Sequence, residues 1–115
     1  MTTQLTSKKL AETLKTTKCS VMKFSAKWCK PCQNPKFLED YHNLCKFFDN
    51  YNDIFFYQFD VNNDAEIIND EKYYNLNIEA IPTIKIFNYD KEIKEFVGVP
   101  NMEQLKNIIL SVSQN

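Results

Sequence analysis

The sequence predicts an α/β fold whose central mixed sheet of four to five strands is flanked by helices on both faces. Two observations carry that prediction. Strand-like runs at Cys19–Phe24 and Ile54–Phe59 alternate with helix-like segments, which calls for a parallel unit joined by crossover helices. Two further strand-like runs, Thr83–Phe87 and Ile93–Val97, are separated only by a turn, which adds antiparallel strands. With 115 residues the chain is expected to form one domain, 1–115, large enough to bury about two thirds of its extended-chain surface.

Each element has a local reason. From Ser7 to Thr16 the pattern is polar with Leu10, Ala11 and Leu14 on one side, a short amphipathic helix for which Ser7 is a suitable cap. The residues before it are expected to add an edge strand. Cys19–Phe24 is a compact apolar run of strand length, as in a strand covered on both faces, with Lys23 as its misfit. After Cys29, apolar residues recur at helical spacing at Phe37, Leu38, Tyr41, Leu44, Cys45 and Phe48. Pro31 then falls in the first turn, where its missing N–H is harmless, and Pro35 lies deeper, where it is expected to kink the helix. A loop at Asp49–Asp53 precedes Ile54–Phe59, dense in strand formers and read as a second central strand with Phe55 and Phe59 in the core. Asn63-Asp64-Ala65-Glu66 reads as a capped helix start, Asn63 being the cap, with the helix running toward Tyr74 and ending near Asn75. Asn88-Tyr89-Asp90-Lys91 reads as the hairpin turn. Last, Asn101 with Gln104 caps a helix whose Met102, Leu105, Ile108, Ile109 and Val112 form one apolar stripe.

The formal charge of −1, with both signs interleaved, provides no long-range field for nucleic acid or an anionic membrane, so neither is expected as a partner. No apolar run approaches the length of a membrane span, and the opening residues lack the pattern of a secretory signal. A reducing, cytoplasmic location is the expectation, or a virion should the source be viral. The four cysteines, at 19, 29, 32 and 45, are too few and too uneven for a secreted disulfide framework. Only Cys29 and Cys32 look paired by design.

Trp28-Cys29-Lys30-Pro31-Cys32 stands where a strand hands over to a helix. Two intervening residues let the sulfurs close a disulfide within one turn, and the first sulfur sits at the helix N-terminus, where backbone N–H groups and the helix dipole favour a thiolate. A thiol with a pKa near 8.5 is only a few per cent thiolate at neutral pH, whereas lowering it to about 7 makes roughly half of it reactive. Lys27 and Lys30 push the same way. Cys29, nearer the helix end and expected to be the more exposed, is read as the attacking thiol, and Cys32, one turn inside, as the resolving thiol.

Val21-Met22-Lys23-Phe24-Ser25-Ala26-Lys27-Trp28-Cys29-Lys30-Pro31-Cys32 resembles the active-site stretch of the thioredoxin family. Ile81-Pro82-Thr83 resembles its cis-proline segment, and Phe96-Val97-Gly98 its glycine-bearing strand end. The resemblance covers most of the chain from Val21 to the final helix and implies the thioredoxin fold. It also implies a cis Ile81–Pro82 peptide packed against the sulfurs, and a shallow substrate groove lined by Trp28, Lys30, Pro31, Val61, Ile81, Pro82, Val97, Gly98 and Val99. No cofactor is implied beyond the redox-active Cys29–Cys32 pair. The implied partners are disulfide-containing proteins and an electron partner, either a reductase or a thiol oxidase, meeting a monomer.

Two departures from the family pattern stand out. The position six residues before the first cysteine is commonly a buried Asp and here is Lys23; the lysine usually paired with it is replaced by Gln58 on the neighbouring strand. Both are therefore candidates for redox tuning. The kink-forming proline of the family commonly lies at the position of Phe37 rather than Pro35. Cys45 falls on the apolar stripe of its helix and Cys19 at a strand entrance, so both are read as small buried hydrophobes. Oxidation of Cys19 as a regulatory event stays open. His42, the sole histidine, is read as a solvated helix residue.

Reduction of protein disulfides is the leading expectation, with electrons from a flavin-containing reductase or glutathione. A thiol oxidant or disulfide isomerase of the same fold is the alternative, and reduction potential separates the two. A redox-silent interaction module and a metal site are the other classes. The metal reading needs two ligands besides Cys29 and Cys32.

Overall fold

In the computed structural model, which describes residues 2–3, 7–68 and 76–114, the strands form one sheet in the order β1-β3-β2-β4-β5. These are β1 (Thr2–Thr3), β2 (Cys19–Ser25), β3 (Ile54–Asp60), β4 (Thr83–Asn88) and β5 (Lys91–Val97); β1 is a two-residue edge beside four longer strands. β2 lies at the centre, parallel to β3 with Cys19 opposite Ile54 and Lys23 opposite Gln58, and antiparallel to β4 with Lys23 opposite Ile84.

Four helices accompany the sheet among the described residues: α1 (Ser7–Thr16), α2 (Pro35–Phe47), α3 (Ala65–Ile68) and α4 (Met102–Gln114). Alternate residues of β2 serve opposite layers, as the pleat requires. Val21 packs with Phe37, Tyr41 and Leu44 of α2 and with Leu105, Ile109 and Val112 of α4. Met22 and Phe24 pack with Leu10 and Leu14 of α1, with Ile68 of α3, and with Tyr57 and Phe59. Both faces of β2 are buried along its whole length.

Several expectations are corrected. α2 starts at Pro35, not in the Pro31 turn: Pro31–Gln33 is a separate single turn of 3-10 helix, and Asn34 breaks the run with φ −57° and ψ 123°. The Asn34 Oδ1 accepts from the N–H of Lys36 at 2.9 Å and of Phe37 at 3.2 Å, so Pro35 opens the helix where its missing N–H is harmless and has no ladder to kink. Asn34→Ala is accordingly expected to lower stability by about 1 kcal/mol at unchanged m-value in urea unfolding. Leu38, placed on the apolar stripe by its spacing, is 40% exposed, and Phe55 is 47% exposed although Phe59 on the same strand face is fully buried. Only the second half of that face lies under helices.

α3 begins at Ala65, so Asp64 rather than Asn63 precedes it, and the Asp64 carboxylate turns back to accept from the Asp60 N–H at 2.8 Å. The expected course of this helix toward Tyr74 and Asn75 lies outside the described residues, as does the side chain of the expected cap Ser7. The hairpin turn falls where expected: Asn88 pairs with Lys91, leaving Tyr89 and Asp90 as the loop, with Tyr89 at φ 54°.

Candidate functional site

The site forms where β2 runs out. After Ser25 the chain passes Ala26 and turns, with the Cys29 N–H donating to the Ala26 carbonyl at 3.2 Å. The 3-10 turn then winds up from Cys29: the Gln33 N–H donates to the carbonyls of Cys29 at 3.2 Å and Lys30 at 3.0 Å, and the Gln33 side-chain amide ties back to the Ala26 carbonyl at 2.9 Å. Cys29 and Cys32 are joined by a disulfide with their Cα atoms 5.3 Å apart. The Cys32 N–H donates to Cys29 Sγ at 3.3 Å. A backbone donor directed at this sulfur favours a thiolate there, as a helix N-terminus does. Cys29 is more exposed than Cys32, but by little: 5% against 1%. Trp28, 66% exposed, and the exposed Lys30 and Pro31 form the surface over the pair.

Around the sulfurs the structure assembles much of the expected groove. Val61 and Ile81 pack against Ala26, Cys29 and Cys32. The Ile81–Pro82 peptide is cis, and the Ile81 carbonyl oxygen lies 3.7 Å from Cys29 Sγ. Pro82 is buried, and its carbonyl accepts from the Gly98 N–H at 2.7 Å, which fixes the end of β5 beside the proline segment. Gly98 has φ +86°, a left-handed conformation that suits glycine. Val97 and Val99 on either side of it are 59% and 50% exposed. Beside the disulfide, Trp28, Val61 and Ile81 share an open cleft of about 490 Å³ with Ile68, Ile78, Glu79 and Ala80. Those last four residues, and the tie between Ala26 and Gln33, were not anticipated. Residues 78–80 were within reach, because they immediately precede the proline segment; Ile68 had no local signal.

The remaining candidates lie elsewhere. Lys23 is buried at 4% exposure with its Nζ 4.6 Å from the centre of the Tyr41 ring and 5.5 Å from that of Phe37, on the α2 side of the sheet. Burial holds its pKa below the ordinary lysine value. Gln58 stands next to it in register and lines the same cleft, together with His42 and Cys45. Cys19 and Cys45 are free. Burial, reinforced by Asp53, pushes the Cys19 thiol up to about 12, and burial pushes the Cys45 thiol up to about 11. Both are poor nucleophiles near neutral pH, and full burial of Cys19 weakens the case for its regulatory oxidation. Among the described residues no three His, Cys, Asp or Glu side chains cluster as metal ligands, and no helix is long and apolar enough to cross a membrane.

A disulfide closed across one turn at the end of a central strand, beside an apolar groove, defines a thiol–disulfide oxidoreductase. The sequence model of the thioredoxin family matches residues 1–111. A thioredoxin of Gallus gallus is 30% identical over 95 residues, covering 83% of this chain and 80% of that protein. One of Geodia cydonium is 34% identical over 94 residues, covering 80% and 77%. Oxidised mitochondrial thioredoxin 3 of Saccharomyces cerevisiae superposes with a TM-score of 0.76 over 96% of this chain and 94% of its own, at 21% identity. Thioredoxin of Plasmodium falciparum does so with a TM-score of 0.75 over 96% and 98%, at 20% identity. The chain belongs to the thioredoxin family.

Proposed function

We propose that this protein reduces disulfides in other proteins. Cys29 as thiolate attacks one sulfur of the substrate disulfide, forming a mixed disulfide and expelling a substrate thiolate. Cys32, deprotonated in turn, attacks Cys29 Sγ, so that the second substrate sulfur leaves reduced and the Cys29–Cys32 disulfide closes. The observation that carries this reading is the Cys32 N–H donated to Cys29 Sγ, which favours the charged form of the sulfur that lies nearer solvent. The groove supports it: Trp28 and Ile81 line the cleft beside the disulfide and Val97 is exposed, so an extended substrate strand laid over them would bury apolar surface. A reductase or glutathione returns the two electrons. The protein works in this reading as a monomer in a reducing, cytoplasmic compartment, without a cofactor.

Assays run in both directions test it. Insulin disulfides should be reduced with dithiothreitol as electron source far faster than reduced ribonuclease is oxidised by the disulfide form. The reverse ratio would make the protein an oxidant.

Lys23 bears on that ratio. Where the family commonly has an acid, a buried ammonium acts on the pair across the low-dielectric interior and favours thiolates, which stabilises the reduced form and raises the potential. Lys23→Asp is therefore expected to lower the reduction potential. One pKa unit of differential stabilisation corresponds to about 1.4 kcal/mol, or about 30 mV for a two-electron couple. Gln58, opposite Lys23, adds no charge of its own to offset it. A glutathione titration of the variant giving an unchanged or higher potential would contradict this role.

A further inference from the structure

Two lysines of the sheet, Lys23 and Lys85, are each only 4% exposed, and the protein treats them in opposite ways. Lys85 Nζ is held by the carboxylates of Glu92 at 2.7 Å and Glu95 at 3.0 Å, both delivered by the next strand. Lys23 has no carboxylate within ion-pair distance among the described residues. Its Nζ rests over two aromatic rings, and the nearby Cys45 thiol, pushed up to about 11 by burial, keeps its proton near neutral pH and supplies no counter-charge. A buried ammonium without a paired anion is costly even when ring faces contribute.

A second buried group on the same wall is also unpartnered. The Tyr41 hydroxyl is inaccessible and has no hydrogen-bond partner among the described residues, a state that ordinarily costs about 1–3 kcal/mol. Tyr41 and Lys23 line one open cleft of about 480 Å³ between α2 and β3. Gln58 offers an amide there and His42 an imidazole. Lys46 and Asp49, also in its lining, offset each other in charge, which leaves Lys23 as the uncompensated cation. Leu38, half out of the core, adds an apolar wall.

We propose that this cleft is a binding site for a small free monocarboxylate, its carboxylate ion-paired to Lys23 and hydrogen-bonded by the Gln58 amide, its short alkyl part against Leu38. The net charge of the lining suits a monoanion, because a dianion such as phosphate meets Asp49. The site is separate from the disulfide groove, and the proposal does not depend on the direction of the redox reaction.

The test is a ¹H–¹⁵N titration of the oxidised protein with sodium acetate, compared with sodium chloride and sodium phosphate at matched ionic strength. Acetate should give saturable shifts at Lys23, Tyr41, Cys45 and Gln58, whereas chloride and phosphate should give weak, unsaturated ones. Lys23→Met should weaken acetate binding at least tenfold. Gln58→Leu at an exposed position keeps the test open should the lysine variant fold poorly; it should weaken binding several-fold. Acetate shifts that do not saturate, phosphate binding tighter than acetate, or affinity unchanged in the folded variants would overturn the proposal.

Discussion

Replacing Cys29 by serine is expected to bring insulin reduction down to the background rate of the added thiol, because a hydroxyl neither ionises near neutral pH nor attacks sulfur. Cys32→Ser is expected to fail differently. Its Cys29 keeps the N–H of residue 32 as a donor, since that bond comes from the backbone, and so still attacks a substrate disulfide. With no second thiol one turn away the mixed disulfide has no internal exit, and one equivalent of substrate stays attached to Cys29. Mass spectrometry of the two variants after exposure to insulin distinguishes them: an adduct on Cys32→Ser and none at position 29 in Cys29→Ser. The low exposure of Cys32, 1%, predicts in addition that the Cys32 thiol of Cys29→Ser reacts slowly with iodoacetamide. Turnover that survives in both variants would remove the pair from the mechanism.

The second large effect is on stability. Phe59 is fully buried and stacks on Phe24 of the central strand, ring centres 5.2 Å apart and planes 17° from parallel. Removing the ring by Phe59→Ala leaves a cavity between β2, β3 and the α1 layer, with an expected loss of about 3–5 kcal/mol. That is a large part of the roughly 5–15 kcal/mol that holds an ordinary domain together, so the melting temperature should fall by more than about 10 °C. Phe55→Ala is the matched control. It changes the same residue type on the same strand face four positions earlier, yet Phe55 is 47% exposed, and the loss should stay below about 1 kcal/mol. Comparable losses at the two positions in urea unfolding would contradict the layer arrangement.

That pair of phenylalanines also shows where sequence reading reaches its limit. Alternation along a strand tells which residues share a face, but how far a helix extends over that face depends on distant segments, so Phe55 and Phe59 looked equivalent. Leu38 failed for a similar reason, lying on the rim of the α2 stripe. The start of α2 was misplaced at Pro31, because Pro31 and Pro35 both suit a first turn; Asn34 decides for Pro35 by accepting two backbone N–H groups. Lys85 gave no sign of its two glutamate partners: the hairpin register brings Glu95 opposite it and Glu92 opposite Phe87, within reach of its ammonium.

The disulfide site was legible for the opposite reason. Its chemistry is local, held in the five residues from Trp28 to Cys32 at the end of an unmistakable apolar strand, and Ile81–Pro82 and Gly98 announce themselves by residue type. The cleft beside it, formed with Ile78, Glu79 and Ala80, needed the fold to bring residues from three segments together.

As a reductant, the protein needs Cys29 and Cys32 to form a reversible two-electron couple poised to give electrons away. Trp28, the single tryptophan and the immediate neighbour of Cys29, reports on that couple by fluorescence. Equilibrated across a series of dithiothreitol and glutathione buffers, the wild-type protein should show one transition with a two-electron slope, about 30 mV per tenfold change, and a midpoint below about −250 mV. A midpoint near −120 mV, as for a strong oxidant, or no transition at all, would contradict it.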